Sequence, residues 1–156
     1  MEIIAEQIRK TVIKARSDLE NISEENAEFK SAPDKWSKKE ILGHLIDSAA
    51  NNHQRFVRAA YDSAADFPPY NQNLWVEIQQ HNSQQWSHLI NFFTLYNLHL
   101  CHILDSLPEE VLTNQCGIGK ENTITIKFVI EDYLRHLQHH LTKIFQTIDS
   151  NQTSTK

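Results

Sequence analysis

Four stretches of this chain repeat apolar residues every three or four positions, the period of a helix that buries one face. Ile4, Ile8, Val12, Ala15 and Leu19 predict a first amphipathic helix over residues 2–21. Ile41, Leu45, Ala49 and Phe56 run through a second, ending near Ala60. Leu89, Phe93, Tyr96, Leu100, Ile103 and Leu107 keep the alternating four-three spacing of a bundle seam and mark a third over 83–106. Ile130, Leu134, Leu137, Leu141, Ile144 and Ile148 mark a fourth, with Thr125 placed to cap it.

Local signals agree with these boundaries. Ser37-Lys38-Lys39-Glu40 is a capping box, and Trp36 and Ile41 stand where a hydrophobic staple would hold it. Pro68-Pro69 and Pro108 break the second and third helices, because proline removes a donor and fixes φ. Residues 23–34 read as a connector and 71–80 as a short helix within a crossing connection. Residues 115–120 are turn-rich and are followed by the β-leaning 123–126, the pattern of a small hairpin. Only three of 156 residues are glycine, against an ordinary ~7%, which excludes a turn-rich, many-stranded β fold. The expectation is an all-α chain: one four-helix bundle domain with a long crossover connection over residues 1–148, then a frayed tail over 149–156.

Charge and cysteine usage narrow the partners. Fifteen Lys and Arg against twenty Asp and Glu give a net charge of −5 without a basic cluster, so no nucleic-acid partner is expected. No apolar run approaches the ~18 residues of a membrane span, and Met1 to Leu19 is too charged for a signal peptide. Cys101 and Cys116 form no CxxC pair. A cytoplasmic protein without a membrane partner is expected.

Nine histidines stand out. His136 and His140 are one turn apart on the fourth helix and could hold one metal ion, although nine histidines produce such a pair easily by chance. At about 100° per residue, both border the apolar stripe centred on Leu137, while His139 points away. On the second helix His44, Ser48, Asn51 and Arg55 form a polar line beside the apolar face. Spacing alone allows His44, His136 and His140 to form a three-histidine site, and allows satisfied or solvated histidines more readily. His53 and His81 read as surface residues; His88, His99 and His102 share a flank of the third helix. Cys116 reads as a plain loop cysteine.

Trp36-Ser37-Lys38-Lys39-Glu40-Ile41-Leu42-Gly43-His44-Leu45-Ile46-Asp47-Ser48 and Tyr133-Leu134-Arg135-His136-Leu137-Gln138-His139-His140-Leu141 together resemble the DinB superfamily, its YfiT-like branch above all. Asn51 to Phe56, Pro69-Tyr70 with Trp75, and Thr123 to Ile126 extend the resemblance across most of residues 36–145. The resemblance implies a four-helix bundle holding one divalent metal ion per chain on three histidines, one from the second helix and two from an HxxxH in the last. The matching positions are His44, His136 and His140, and His139 is not a ligand in this pattern. Family members are described as metal-dependent hydrolases, and related bundles transfer low-molecular-weight thiols.

Three neutral imidazoles leave the full +2 charge on an ion and at least one coordination position open, and Zn or Ni suits such a donor set. Hydrolysis or thiol S-transfer on a small-molecule substrate then becomes accessible, with a low-molecular-weight thiol as candidate co-substrate. Asp47 and Asp132, each one turn from a ligand, are candidate partners for the second ring nitrogens, or solvated carboxylates. Arg55 is a candidate for an anionic substrate group, or half of an internal ion pair. Tyr133 is a candidate proton donor, or a core tyrosine. Two other classes stay open: a non-catalytic metal-binding or stress-associated module, and a helical homodimer whose histidines are incidental.

Overall fold

The computed structural model describes residues 2–119 and 123–146. The expected tail over 149–156, the stripe position Ile148 and the hairpin tip at 120–122 lie outside the described residues. Among the described residues there are six α-helices: α1 (Glu2–Leu19), α2 (Glu24–Glu28), α3 (Lys38–Tyr61), α4 (Gln72–Gln79), α5 (Trp86–Ser106) and α6 (Ile126–Gln146). The four long ones are those the apolar periodicity marks. The connector at 23–34 is more structured than expected, because Ser23 accepts a hydrogen bond from the Asn26 backbone and starts the short α2.

Each long helix buries its stripe. Ile8, Val12 and Leu19 of α1, Leu42, Leu45 and Phe56 of α3, Leu89, Phe93, Leu100 and Leu104 of α5, and Ile130, Leu137 and Ile144 of α6 meet in one core. Helix α1 packs on α5 and α6, and α3 packs on the same two. Helices α1 and α3, and likewise α5 and α6, therefore sit across the bundle from one another, while α3 and α5 are neighbours, and the connections before α3 and before α6 cross the bundle. Phe56 and Tyr133 meet edge to face, ring centroids 5.9 Å apart, between α3 and α6.

The crossing connections are tied down by capping. The Ser37 hydroxyl accepts from the Glu40 N–H at 3.1 Å, and the Glu40 carboxylate accepts from the Ser37 N–H at 2.7 Å, so the capping box starts α3 as its sequence requires. Helix α5 has no capping side chain of its own at Gln85. Instead the Glu24 carboxylate accepts the Trp86 N–H at 3.0 Å, an anion placed on a helix N-terminus. Glu24 also pairs with the buried ammonium of Lys39, which joins α2, α3 and α5 at one point.

Three short strands close one end of the bundle: β1 (Asp66–Phe67), β2 (Gln115–Ile118) and β3 (Ile124–Thr125). β2 and β3 pair antiparallel, the expected hairpin, with Gln115 opposite Thr125. β1 joins in parallel, Asp66 opposite Gly117, a pairing with no signal in so short a segment. Gly119 takes φ +57°, the left-handed conformation glycine adopts at no steric cost, against the Pro69 ring. The Asn114 amide donates to the Ala59 and Ala60 carbonyls at 3.1 and 3.3 Å, fastening this sheet to the end of α3. Thr125 caps α6 through the Phe128 N–H, as its position suggests. No described helix is long and apolar enough to cross a membrane.

Candidate metal centre

Because α3 and α6 are neighbours, the polar edges of their two stripes face each other. His44 of α3 and His136 and His140 of α6 converge there, each offering a ligand atom within 4.8 Å of the other two. Ring centroids are 5.0 Å apart for His44 and His136, 4.7 Å for His44 and His140, and 4.4 Å for His136 and His140. The His44 and His136 Nε2 atoms stand 3.1 Å apart. Two nitrogens on one tetrahedral zinc, at about 2.0–2.1 Å each, would be roughly 3.3 Å apart, so the spacing suits a shared ion with little movement. His44 is fully buried, and the other two are half-buried. His139, whose direction the helical period assigned outward, is exposed.

The electrostatics suit ligation by neutral rings. Burial, reinforced by the neighbouring His136, holds the His44 imidazole down at about 4. Burial and the two adjacent imidazoles hold His140 at about 3, and burial also lowers His136 against the opposing pull of Asp132. All three rings are thus neutral at pH 7, with a lone pair to give. The Nδ1 atoms of His44 and His140 are buried and have no hydrogen-bond partner among the described residues. Ring nitrogens of three neutral imidazoles gathered this closely, two of them Nε2 atoms 3.1 Å apart, are a donor set a divalent ion would hold, so the residues fit the ion that their chemistry implies.

The expected second partners are not where the sequence put them. Asp47 lies 2% exposed but turns away from His44: it accepts from the Gln79 amide at 2.7 Å and from His81 Nε2 at 3.3 Å. Asp132 is exposed and pairs with Arg135 at 3.1 Å. The His136 Nδ1 instead meets the Ser48 hydroxyl at 3.4 Å. Trp36 packs its ring on His44 at 5.1 Å, covering the cluster from the N-terminal side of α3.

Other candidates are relocated too. His81, expected at the surface, is 3% exposed and rests against the α3 backbone at Gly43, where any Cβ would overlap its ring. His53 is half-buried against the Tyr96 hydroxyl at 3.2 Å rather than free in solvent. Tyr133 is no proton donor to this cluster. It is sealed in the core, burial pushes its phenol far up, and its hydroxyl donates to Asn97 Oδ1 at 2.5 Å. Along α3 the polar line continues through Asn52, not Asn51, whose amide donates to the Asp47 carbonyl. A glycine inside an otherwise regular helix is a signal of close backbone approach, and Gly43 could have pointed to a neighbour such as His81.

The sequence model described as the DinB superfamily matches residues 6–144, and the chain belongs to that superfamily. YfiT from Bacillus subtilis, described as a probable metal-dependent hydrolase with an unusual four-helix bundle topology, superposes with a TM-score of 0.81 at 17% identity, over 92% of this chain and 82% of its own. The mycothiol-dependent maleylpyruvate isomerase gives a TM-score of 0.75 at 12% identity, over 92% of this chain but 60% of the isomerase. A histidine-to-alanine mutant of that isomerase gives 0.72 at 12% identity over the same shares. At these identities the likeness is one of fold. No curated protein matches the chain.

Proposed function

We propose that this DinB-superfamily chain is a metal-dependent enzyme in which His44, His136 and His140 hold one divalent ion, Zn or Ni, for hydrolysis or thiol S-transfer on a small molecule. The observation that carries the reading is the convergence of three neutral imidazoles from two helices on one point. A divalent ion bound by three neutral donors keeps an open position and its full charge, and it lowers the pKa of water or a thiol that binds it. The fold shared with a metal-dependent hydrolase and a mycothiol-dependent isomerase supports both chemistries.

The chain's own residues would act as follows. His44, buried and packed against the Trp36 ring, would supply a donor held in place by its surroundings. Ser48 fixes the His136 ring by its contact with Nδ1, the role a carboxylate plays in many metal sites. Asp47, His81 and Gln79 pin α4 and the turn after it against α3, which fixes the backbone on which His44 stands.

A second reading, a metal-binding module without catalysis, is favoured by one observation: Asp47 and Tyr133, the nearest acid-base candidates from the sequence, are both engaged away from the cluster. Assay of a panel of ester, amide and thiol-addition substrates separates the two. The enzyme reading expects turnover that chelation abolishes, metal restores and His44→Ala removes. A fully metal-loaded chain inert on the whole panel contradicts it.

A further inference from the structure

Five arginines occur in this chain, and four have an evident role for their charge. Arg9, Arg16 and Arg135 pair with carboxylates, and Arg58 lies over the Phe67 ring. Arg55 differs. It is half-buried on α3, yet among the described residues no carboxylate stands within ion-pair distance of it. Its one hydrogen bond among the described residues goes from Nη1 to the neutral Asn52 Oδ1, at a long 3.4 Å. The groups that feel its charge are Tyr70, Cys116 and Asp132. Burial pushes the Tyr70 phenol and the Cys116 thiol up, so both are neutral at pH 7, and Asp132 is already held by Arg135. A guanidinium taken partly out of water without a counter-charge is costly, and its remaining donors stay available.

Its placement relative to the histidines is defined by one polar line. His136 Nδ1 meets Ser48 Oγ, the Asn52 amide reaches the same hydroxyl at 3.4 Å, and Asn52 accepts from Arg55. Tyr70 is near enough to both for Ser48 and the Arg55 charge to act on its phenol. Arg55 is two turns beyond Ser48, about 10 Å along the axis, and helical side chains lean back toward the N-terminus. The guanidinium thus sits within the length of a small organic molecule from the cluster.

We propose that Arg55 and Tyr70 form a carboxylate-binding subsite beside the three histidines, so that the substrate of this site is a small monoanionic carboxylate. The planar guanidinium fork matches the two oxygens of a carboxylate, and one fixed positive charge with one hydroxyl donor neutralises a monoanion. The inference rests on the metal-site reading for its choice of site, but its test does not.

The test is titration of the full chain, metal-free and metal-loaded, with propionate, using propionamide as the uncharged isostere, followed by calorimetry and the Arg55 guanidinium proton resonances. The metal-free wild type is expected to bind propionate and not propionamide. Arg55→Gln should weaken binding about tenfold or more, the loss expected for a charged hydrogen-bond partner. Arg55→Lys should fall between, and Tyr70→Phe should weaken binding severalfold with unchanged far-UV circular dichroism. Equal propionate binding by Arg55→Gln and wild type, no propionate binding by the metal-free wild type, or phosphate binding as tight as propionate overturns the subsite. Metal content reads the histidine site separately: Arg55→Gln should keep it, and a metal-free wild type would overturn the site while the propionate result still decides the subsite.

Discussion

Replacing Gly43 by alanine sets two effects of opposite sign against each other. In a helix interior the change ordinarily stabilises by about 1 kcal/mol, because alanine loses less backbone entropy. Here the new methyl would overlap the His81 ring and its Cβ. His81 cannot yield cheaply, since it is buried and held by Asp47 at 3.3 Å and Gln84 at 3.4 Å. Overpacking a tight site costs about 1–3 kcal/mol, and displacing the ring takes a hydrogen bond from a buried carboxylate, another ~1.5–3 kcal/mol. The collision wins, and Gly43→Ala should destabilise by roughly 2–4 kcal/mol. Urea denaturation followed by far-UV circular dichroism measures it. In a His81→Gly background both the ring and its Cβ are gone, and the same substitution should stabilise by about 1 kcal/mol. A neutral or stabilising Gly43→Ala with His81 present, or an equal penalty without it, would refute the reasoning.

Other perturbations have equally definite signs. Tyr133→Phe leaves Asn97 Oδ1 without its donor in the core and should cost about 1–2 kcal/mol in urea denaturation while metal content stays as in wild type. Ser37→Ala removes the capping box at the start of α3 and should cost about 1–2 kcal/mol by the same assay. Stability of the metal-free chain should fall as pH drops below 6.5 toward 4. The unfolded chain takes up protons there that His44 and His140, held at about 4 and 3, refuse. At about 1.4 kcal/mol per unit the loss reaches a few kcal/mol by pH 5, and His140→Leu should flatten that slope; an unchanged slope would contradict the burial of these rings.

The long helices were legible because each carries its own periodic stripe and, for α3, its own capping box. The hairpin was legible from turn-rich and β-branched residues, whereas β1 pairs only because the chain's crossing brings Asp66 beside Gly117, a long-range event with no local mark. The direction of His136, His140 and His139 followed from helical geometry, since 100° per residue survives folding. The partners of those rings did not. Asp47 is one turn from His44 along the chain, but α4 and the following turn bring Gln79 and His81 to it first, and nothing in α3 alone announces them. Tyr133 illustrates the same limit: its position on the stripe was readable, but its bond to Asn97 of α5 depends on which helices become neighbours.

Metal stoichiometry by elemental analysis of gently purified protein tests the central claim most directly. Wild type and His139→Ala should carry close to one divalent ion per chain, and His44→Ala, His136→Ala and His140→Ala should each lose most of it while remaining helical. Retention of a full ion by the His136→Ala and His140→Ala chains, or a wild type that neither carries nor takes up Zn or Ni, would contradict the assignment of these three histidines.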